Sequence, residues 1–146
     1  MNQYKMHISS KDILLLQEHA EKMLPSEAVA LIFGTISDTA VSAKRIELME
    51  NTSSARLTSF SVNPESEYAL LMDAEARNES LVGIFHSHPA PPRPSATDMR
   101  NMRLNPVVWL IASKLSRKWT INGYLLEKDK PLDVAIHVYE QDSSSP

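Results

Sequence analysis

Phe85-His86-Ser87-His88-Pro89-Ala90-Pro91-Pro92-Arg93-Pro94-Ser95-Ala96-Thr97-Asp98 is the stretch on which both the fold and the chemistry turn. It continues the apolar run Leu81-Val82-Gly83-Ile84, so the pattern predicts a buried strand over residues 81–86. A proline-dense loop ends that strand. Ser95-Ala96-Thr97-Asp98 then reads as a helix start, with a short helix to about Leu104. Residues i and i+2 of a strand share a face, so the imidazoles of His86 and His88 converge. Zinc takes nitrogen and oxygen ligands at roughly 2.0–2.2 Å in a tetrahedron. Two strand histidines and a carboxylate from a helix fill three corners and leave the fourth open, which is the composition of a catalytic site. Each feature also has a plainer explanation. A His-x-His pair arises by chance, Ser95-x-x-Asp98 is a capping-box variant, and the prolines suit a polyproline ligand for an SH3-like module. The case for chemistry is the combination, with both histidines, the prolines, Ser95 and Asp98 inside thirteen residues at the mouth of one buried strand.

Working outward, Ser9 or Ser10 suits an N-cap, and Ile13, Leu16, Ala20 and Met23 repeat at helical spacing up to Pro25. Residues 1–5 read as a polar lead into that helix, without the apolar core of a signal peptide. Residues 28–34 read as a buried strand. A turn at Ser37-Asp38-Thr39 and a second strand over residues 40–49 follow. Residues 50–59 are polar and loop-like, and residues 60–62 form a short extended piece. Asn63-Pro64-Glu65 starts a helix with proline in its first turn, running to about Arg77. Residues 107–113 form a strong strand, and residues 119–126 and 134–139 flank the turn Lys128-Asp129-Lys130-Pro131 as a closing hairpin. The pattern is that of an α/β sandwich around a mixed sheet.

The length, 146 residues with 42% apolar and 23% charged, fits one domain over residues 1–140 with a frayed tail at 141–146. No run approaches the 18 apolar residues of a membrane span. The net charge of -3 weighs against nonspecific nucleic-acid binding. Residues 80–126 nevertheless carry six basic side chains against one acid, Asp98. That is either a surface for an acidic partner or a plain solvated face. Cysteine is absent, which excludes thiol nucleophiles, thiolate-bound zinc, iron–sulfur clusters and disulfides and favours an intracellular, cytoplasmic home. A hydrolase of this composition must work with hydroxyls, carboxylates or a metal held by His and Asp/Glu.

The His86–Asp98 stretch resembles the JAMM motif of the MPN+ zinc metalloproteases, His-x-His-Pro-x6-Ser-x-x-Asp with a glutamate far upstream on the first strand. The likeness runs over about residues 6–139 and extends to the order of helices and strands. It implies an MPN (cytidine-deaminase-like) α/β sandwich, a mixed sheet flanked by about three helices. It also implies a zinc-dependent isopeptidase similar to archaeal and proteasome-lid-type deubiquitinases. Such an enzyme uses zinc-activated water to cleave the bond between the C-terminal glycine of ubiquitin, or a ubiquitin-like modifier, and a lysine amine. The expected partners are modifier conjugates, with the proteasome admitted as a further one, and neither nucleic acid nor membrane. Carried over by position, His86, His88 and Asp98 correspond to the ligands of one zinc ion per chain. Glu27, just before the first apolar strand, corresponds to the general acid/base, and Ser95 to the residue that stabilises the oxyanion.

One departure bears on the ligand set: five residues separate Pro89 from Ser95, where the family pattern has six. Four prolines in that loop favour an extended path, so Asp98 is expected to reach the metal despite the deletion. Only four residues, 103–106, separate the Asp98 helix from the next strand, leaving no long insertion to grip a second modifier. The modifier's extended tail is expected to lie against a sheet edge. Three other readings stand beside this one. They are a peptidase releasing an amino acid from a sulfur-carrier-type ubiquitin-like protein, a non-catalytic scaffold of the same fold, and a DNA-repair-associated relative, against which the acidic balance weighs. His7, His19 and His137 have no motif partner and read as surface or structural residues.

Overall fold

The computed structural model describes residues 4–88 and 91–141. In chain order the elements are β1 (Lys5–Ser9), α1 (Ser10–Met23), β2 (Val29–Ser37), β3 (Ala40–Met49), α2 (Pro64–Ala76), β4 (Ser80–Ser87), α3 (Ala96–Leu104), β5 (Val108–Leu115), β6 (Lys118–Glu127) and β7 (Lys130–Tyr139). The strands form one mixed sheet in the order β1-β3-β2-β4-β5-β6-β7, and β1 also pairs with β7, so the sheet closes into a barrel. Three helices and a mixed sheet agree with the α/β expectation. The sandwich does not, because the sheet has curled until its ends meet.

Closure depends on β1, a strand not expected from the sequence, which reads residues 1–5 as leading into a helix and assigns no strand before it. Lys5-Met6-His7-Ile8-Ser9 alternates, and both Met6 and Ile8 are fully buried. Burying two such side chains contributes roughly 3–6 kcal/mol, enough to hold a five-residue strand in parallel pairing with β7. Ser9 then ends the strand and caps α1, its side chain accepting from the Asp12 N–H at 3.1 Å. Along β3, β1 covers only Ala40 to Ser42, and the remainder of that side of β3 has no strand partner among the described residues.

Each central strand is apolar on both faces because each face meets a core. Ala30, Ile32, Phe85, Leu110 and Ala112 pack on one side with Leu16 and Ala20 of α1. Val29, Leu31, Phe33, Ile84, Trp109 and Ile111 pack on the other with Ala74 of α2 and Met102 of α3. β2 outruns the expected residues 28–34, extending to Ser37 with a bulge between Phe33 and Gly34. At that bulge a Cβ on Gly34 would stand 1.8 Å from the Ser42 carbonyl oxygen, so the backbone approach requires glycine. Residues 60–62 lie outside the sheet, and their apolar side chains Phe60 and Val62 pack against the second core. The hairpin turns at Ser116-Arg117 and Lys128-Asp129 have positive φ at both central residues, as two-residue turns between twisted strands require. Pro131 lies inside β7, paired with Leu126.

One connection positions the chemistry. β4 and β5 pair in parallel, and parallel neighbours need a crossover, which here is α3. The crossover leaves the C-terminal end of β4, so the first turn of α3 lies beside the last residues of β4.

Candidate metal centre

His86 is the penultimate residue of β4 and pairs with Val29 on β2 and Ile111 on β5. His88 lies just past the strand, held by its N–H donating to the Ala112 carbonyl at 2.9 Å. Both side chains reach the face where Asp98 arrives from the first turn of α3. One ligand atom from each of His86, His88 and Asp98 lies within 4.8 Å of the others, and all three residues are buried. The Asp98 Oδ1 stands 3.1 Å from His86 Nε2, and its Oδ2 3.6 Å from His88 Nε2. His88 Nε2 also lies 3.0 Å from the Arg93 carbonyl oxygen.

The ring of His86 is fixed by its surroundings. Phe60 stacks on it at 5.0 Å between centroids, and Trp109 meets it edge-on at 5.9 Å. Its Nδ1 faces Glu27 Oε1 at 3.4 Å, the kind of carboxylate contact that sets a tautomer and leaves the other nitrogen for a metal. That other nitrogen, Nε2, is buried and lacks an aligned hydrogen-bond partner among the described residues, although Asp98 is close. A tetrahedron with bonds of roughly 2.0–2.2 Å has edges of about 3.3–3.6 Å. The two separations, 3.1 Å to Oδ1 and 3.6 Å to Oδ2, are close to that length but fall on different oxygens of the one carboxylate, and one ligand atom from each of the three residues lies within 4.8 Å of the others. A buried nitrogen without a hydrogen bond, a second imidazole and a carboxylate at these spacings fit a borderline-soft divalent cation.

Electrostatics agree. Burial by itself would lower the His86 imidazole, but the carboxylates of Asp98 and Glu27 outweigh it and push the pKa up to about 9. Burial works to raise Asp98, and the adjacent His86 more than offsets it, leaving the carboxyl below its ordinary range.

Asp98 serves two purposes at once. Ser95 caps α3 in a capping box: the Asp98 N–H donates to Ser95 Oγ at 3.0 Å, and the Ser95 N–H donates to Asp98 Oδ2 at 2.9 Å. The cap engages Oδ2, and Oδ1 is the oxygen that faces His86. Ser95 itself is exposed at the rim. The shortened loop is held on its far side by Tyr124, whose hydroxyl donates to the Pro92 carbonyl at 2.8 Å, and by the Asn122 amide at 3.2 Å. Pro89 and Ala90 lie outside the described residues.

Glu27 is buried two residues before β2 begins, and four hydrogen bonds tether its backbone and that of Ala28. The Glu27 N–H donates to the Arg56 carbonyl at 2.7 Å, and the Asn51 amide donates to the Glu27 carbonyl at 2.9 Å. Ser87 exchanges the other two with Ala28, its Oγ accepting at 2.9 Å and its N–H donating at 3.1 Å. A cleft of about 240 Å³ opens beside the site, lined by Glu27, His88, Ser113, Lys114 and Trp119, with Leu24 and Pro25 on its outer wall.

The structure brings together His86, His88, Asp98 and Glu27, with Ser95 at the rim. It keeps the other histidines apart from them. His7 and His137 face each other at 5.1 Å on neighbouring positions of β1 and β7, and His19 Nε2 lies 3.1 Å from the Val29 carbonyl oxygen. Phe60, Trp109, Ser87 and Asn51 were not singled out from the sequence. An aromatic closing a Ser/Thr-rich loop was the one available signal, and it points only to Phe60. The basic stretch is partly neutralised: Lys114 pairs with Glu21 at 2.7 Å and Arg103 with Asp129 at 3.0 Å.

A family model described as prokaryotic homologs of the JAB domain matches residues 10–122. A protein of Pyrococcus furiosus named Desampylase is 40% identical over 82 residues, which are 54% of this chain and 56% of that protein. The chain thus spans little more than half the length of that curated relative. The solution structure of a protein from Desulfitobacterium hafniense aligns with a TM-score of 0.81 at 28% identity, covering 94% of this chain and 95% of that one. A solution structure from Salinibacter ruber gives 0.61 at 21% identity over 95% and 94% of the two chains, which speaks for the fold alone.

Proposed function

The chain belongs to the family of prokaryotic JAB-domain homologs, and on that footing we propose that it is a zinc-dependent isopeptidase. Its substrate would be the bond between the C-terminal glycine of a ubiquitin-like modifier and a lysine amine. The observation that carries this reading is the buried His86–His88–Asp98 group with Glu27 beside it and a cleft alongside. The name of the Pyrococcus relative supports removal of a modifier as the reaction class.

His86, His88 and Asp98 would hold one zinc ion. When bound, the ion supplies Lewis-acid chemistry and lowers the pKa of a coordinated water to about 7. Glu27 takes the proton from the attacking water and returns it to the leaving amine, help typically worth about 100- to 10,000-fold. Burial keeps this carboxylate beside the reacting atoms and away from bulk solvent. Ser95 donates its hydroxyl hydrogen to the developing oxyanion. Its Oγ already accepts from the Asp98 N–H, and that leaves the O–H to donate. The exposed position at the rim suits a group that meets the substrate from outside. The stretch of β3 beyond Ser42 is the sheet edge left for an extended tail, and it runs toward Met49, the partner of Val29 near Glu27.

The size of the cleft favours a second reading, release of a single amino acid from a sulfur-carrier-type modifier. About 240 Å³ beside Glu27 suits one residue better than a folded partner. A cytoplasmic location and an association with the proteasome belong to the first reading. The deciding experiment is metal analysis of the purified protein, followed by incubation with modifier–lysine conjugates and modifier–amino-acid adducts, with and without chelator. About one zinc per chain and chelator-sensitive cleavage are expected, and the preferred substrate separates the readings. Full activity after complete metal removal sinks both.

A further inference from the structure

We propose that Asn51 is a positioning residue for Glu27, fixing the general acid/base from the loop that also carries Phe60 onto the His86 ring. The inference rests on the role assigned to Glu27 above. The need follows from where Glu27 stands. The β2 ladder begins at Val29, so Glu27 has no strand neighbour to set its backbone. A carboxylate that transfers protons must nevertheless be held in place, because a misplacement of about 1 Å costs on the order of 100-fold in rate.

Asn51 meets that need with its whole side chain. Its Nδ2 donates to the Glu27 carbonyl at 2.9 Å and to the Ser59 carbonyl at 3.0 Å. Its Oδ1 accepts from the Ser53 N–H at 3.1 Å and the Ser61 N–H at 3.2 Å. An amide has two donors and two acceptor sites, and all four are used here. The residue is 7% exposed, so none of these bonds competes much with water. The same loop returns a second bond to Glu27, from its N–H to the Arg56 carbonyl at 2.7 Å. Asn51 therefore organises residues 51–61, and through them both backbone groups of Glu27 are held. It touches no metal-facing atom itself.

Two measurements test the proposal, one of them independent of activity. Hydrogen exchange should rise in Asn51→Ala at the Glu27 amide and across residues 51–61, with β4 and β5 still protected and zinc content unchanged. With a cleavable conjugate, kcat should fall about 10- to 100-fold at nearly constant KM. The same substitution in a Glu27→Gln background should change kcat less than twofold, because a group acting only through Glu27 has nothing left to position. If Asn51→Ala proves too unstable, Asn51→Asp keeps the acceptor for Ser53 and Ser61 and loses the donors to Glu27 and Ser59, and should still raise exchange at the Glu27 amide while the Ser53 and Ser61 amides stay protected. Unchanged exchange at Glu27 overturns the proposal, as does an equal loss of kcat in both backgrounds. If the wild-type protein cleaves no conjugate, the reading of Glu27 as acid/base falls, and exchange alone still decides whether Asn51 holds this segment.

Discussion

If the proposed zinc ion is bound, removing it should make the stability of this protein sensitive to alkaline pH, and His86 sets the size and direction of the effect. In the metal-free fold its imidazole lies between Asp98 at 3.1 Å and Glu27 at 3.4 Å, and its pKa is pushed up to about 9 from an ordinary value of 6.5. A group whose folded pKa is raised stabilises the fold fully below its unfolded value, and that stability disappears as pH rises through the folded value. The window is therefore from about 6.5 to about 9. At 1.36 kcal/mol per pKa unit the loss is about 3 kcal/mol, or roughly 6–12 °C in Tm for a chain of this size. Asp98 acts on the other side: its lowered pKa contributes stability above its unfolded value near 3.8, which is lost as the pH falls. Metal-free protein should thus be most stable between these limits. Zinc must displace the His86 proton, so its apparent affinity should rise about tenfold per pH unit between pH 6.5 and 8. Melting curves of chelator-treated protein from pH 6 to 10, with competitive zinc titrations at pH 6.5 to 8, measure both. A metal-free Tm that is flat through pH 9, or the same alkaline loss in His86→Gln, refutes the reasoning.

The remaining predictions concern the metal, the base and the surface charge. The double variant His86→Ala, His88→Ala should lose zinc by elemental analysis, and full occupancy in it would remove both residues from the ligand set. Glu27→Gln should keep zinc and fold normally while activity falls by about two orders of magnitude or more. If zinc is lost instead, the carboxylate is a ligand rather than a base. Thiol alkylation should leave activity intact, since the sequence contains no cysteine. Reversing Arg117 and Lys118, which have no acidic partner among the described residues, should raise KM for an acidic modifier at low salt with kcat nearly constant. The same reversal at Lys114 should also break its bond to Glu21 and disturb the cleft wall.

The parts of the fold that were legible are those whose signal is local. β3 occupies residues 40–49, as expected of a strand following the turn at Ser37-Asp38-Thr39, and α3 starts after its Ser95 cap. The second helix begins with Asn63 capping Pro64, the side chain bonding the N–H groups of Glu65 and Ser66. What escaped was non-local. β1 has only two buried apolar side chains, and its pairing partners lie 35 and 130 residues away at Ala40 and Ala135, so the five-residue alternation is the one local sign of it. Closure into a barrel follows from that one strand, and a reading without it leaves an open sheet and hence a sandwich.

The site divides along the same line. His86, His88, Ser95 and Asp98 lie within one short stretch because a single βαβ crossover delivers them, so their spacing records their geometry. With one loop residue fewer than the family pattern, Asp98 Oδ1 still lies 3.1 Å from His86 Nε2. The path from Pro91 to Pro94 is fixed by Tyr124 and Asn122 rather than by its own length, and the capping box sets where Asp98 points. Ser95-x-x-Asp98 is a helix cap, and the cap leaves Oδ1 of Asp98 toward His86 for the proposed ligand role. The Ser95 N–H holds Oδ2, which limits rotation of the carboxylate and turns Oδ1 toward His86. Ser95→Ala should accordingly do more than remove an oxyanion donor. The residue-95 N–H to Oδ2 survives the substitution, but losing the Oγ cap on the Asp98 N–H costs about 1 kcal/mol of helix stability, and a loosened first turn should hold Asp98 less firmly and bind zinc more weakly. Ser95→Thr, which keeps the cap, should retain zinc affinity. A Ser95→Ala protein with wild-type zinc affinity would show that the capping box and the metal site are independent after all.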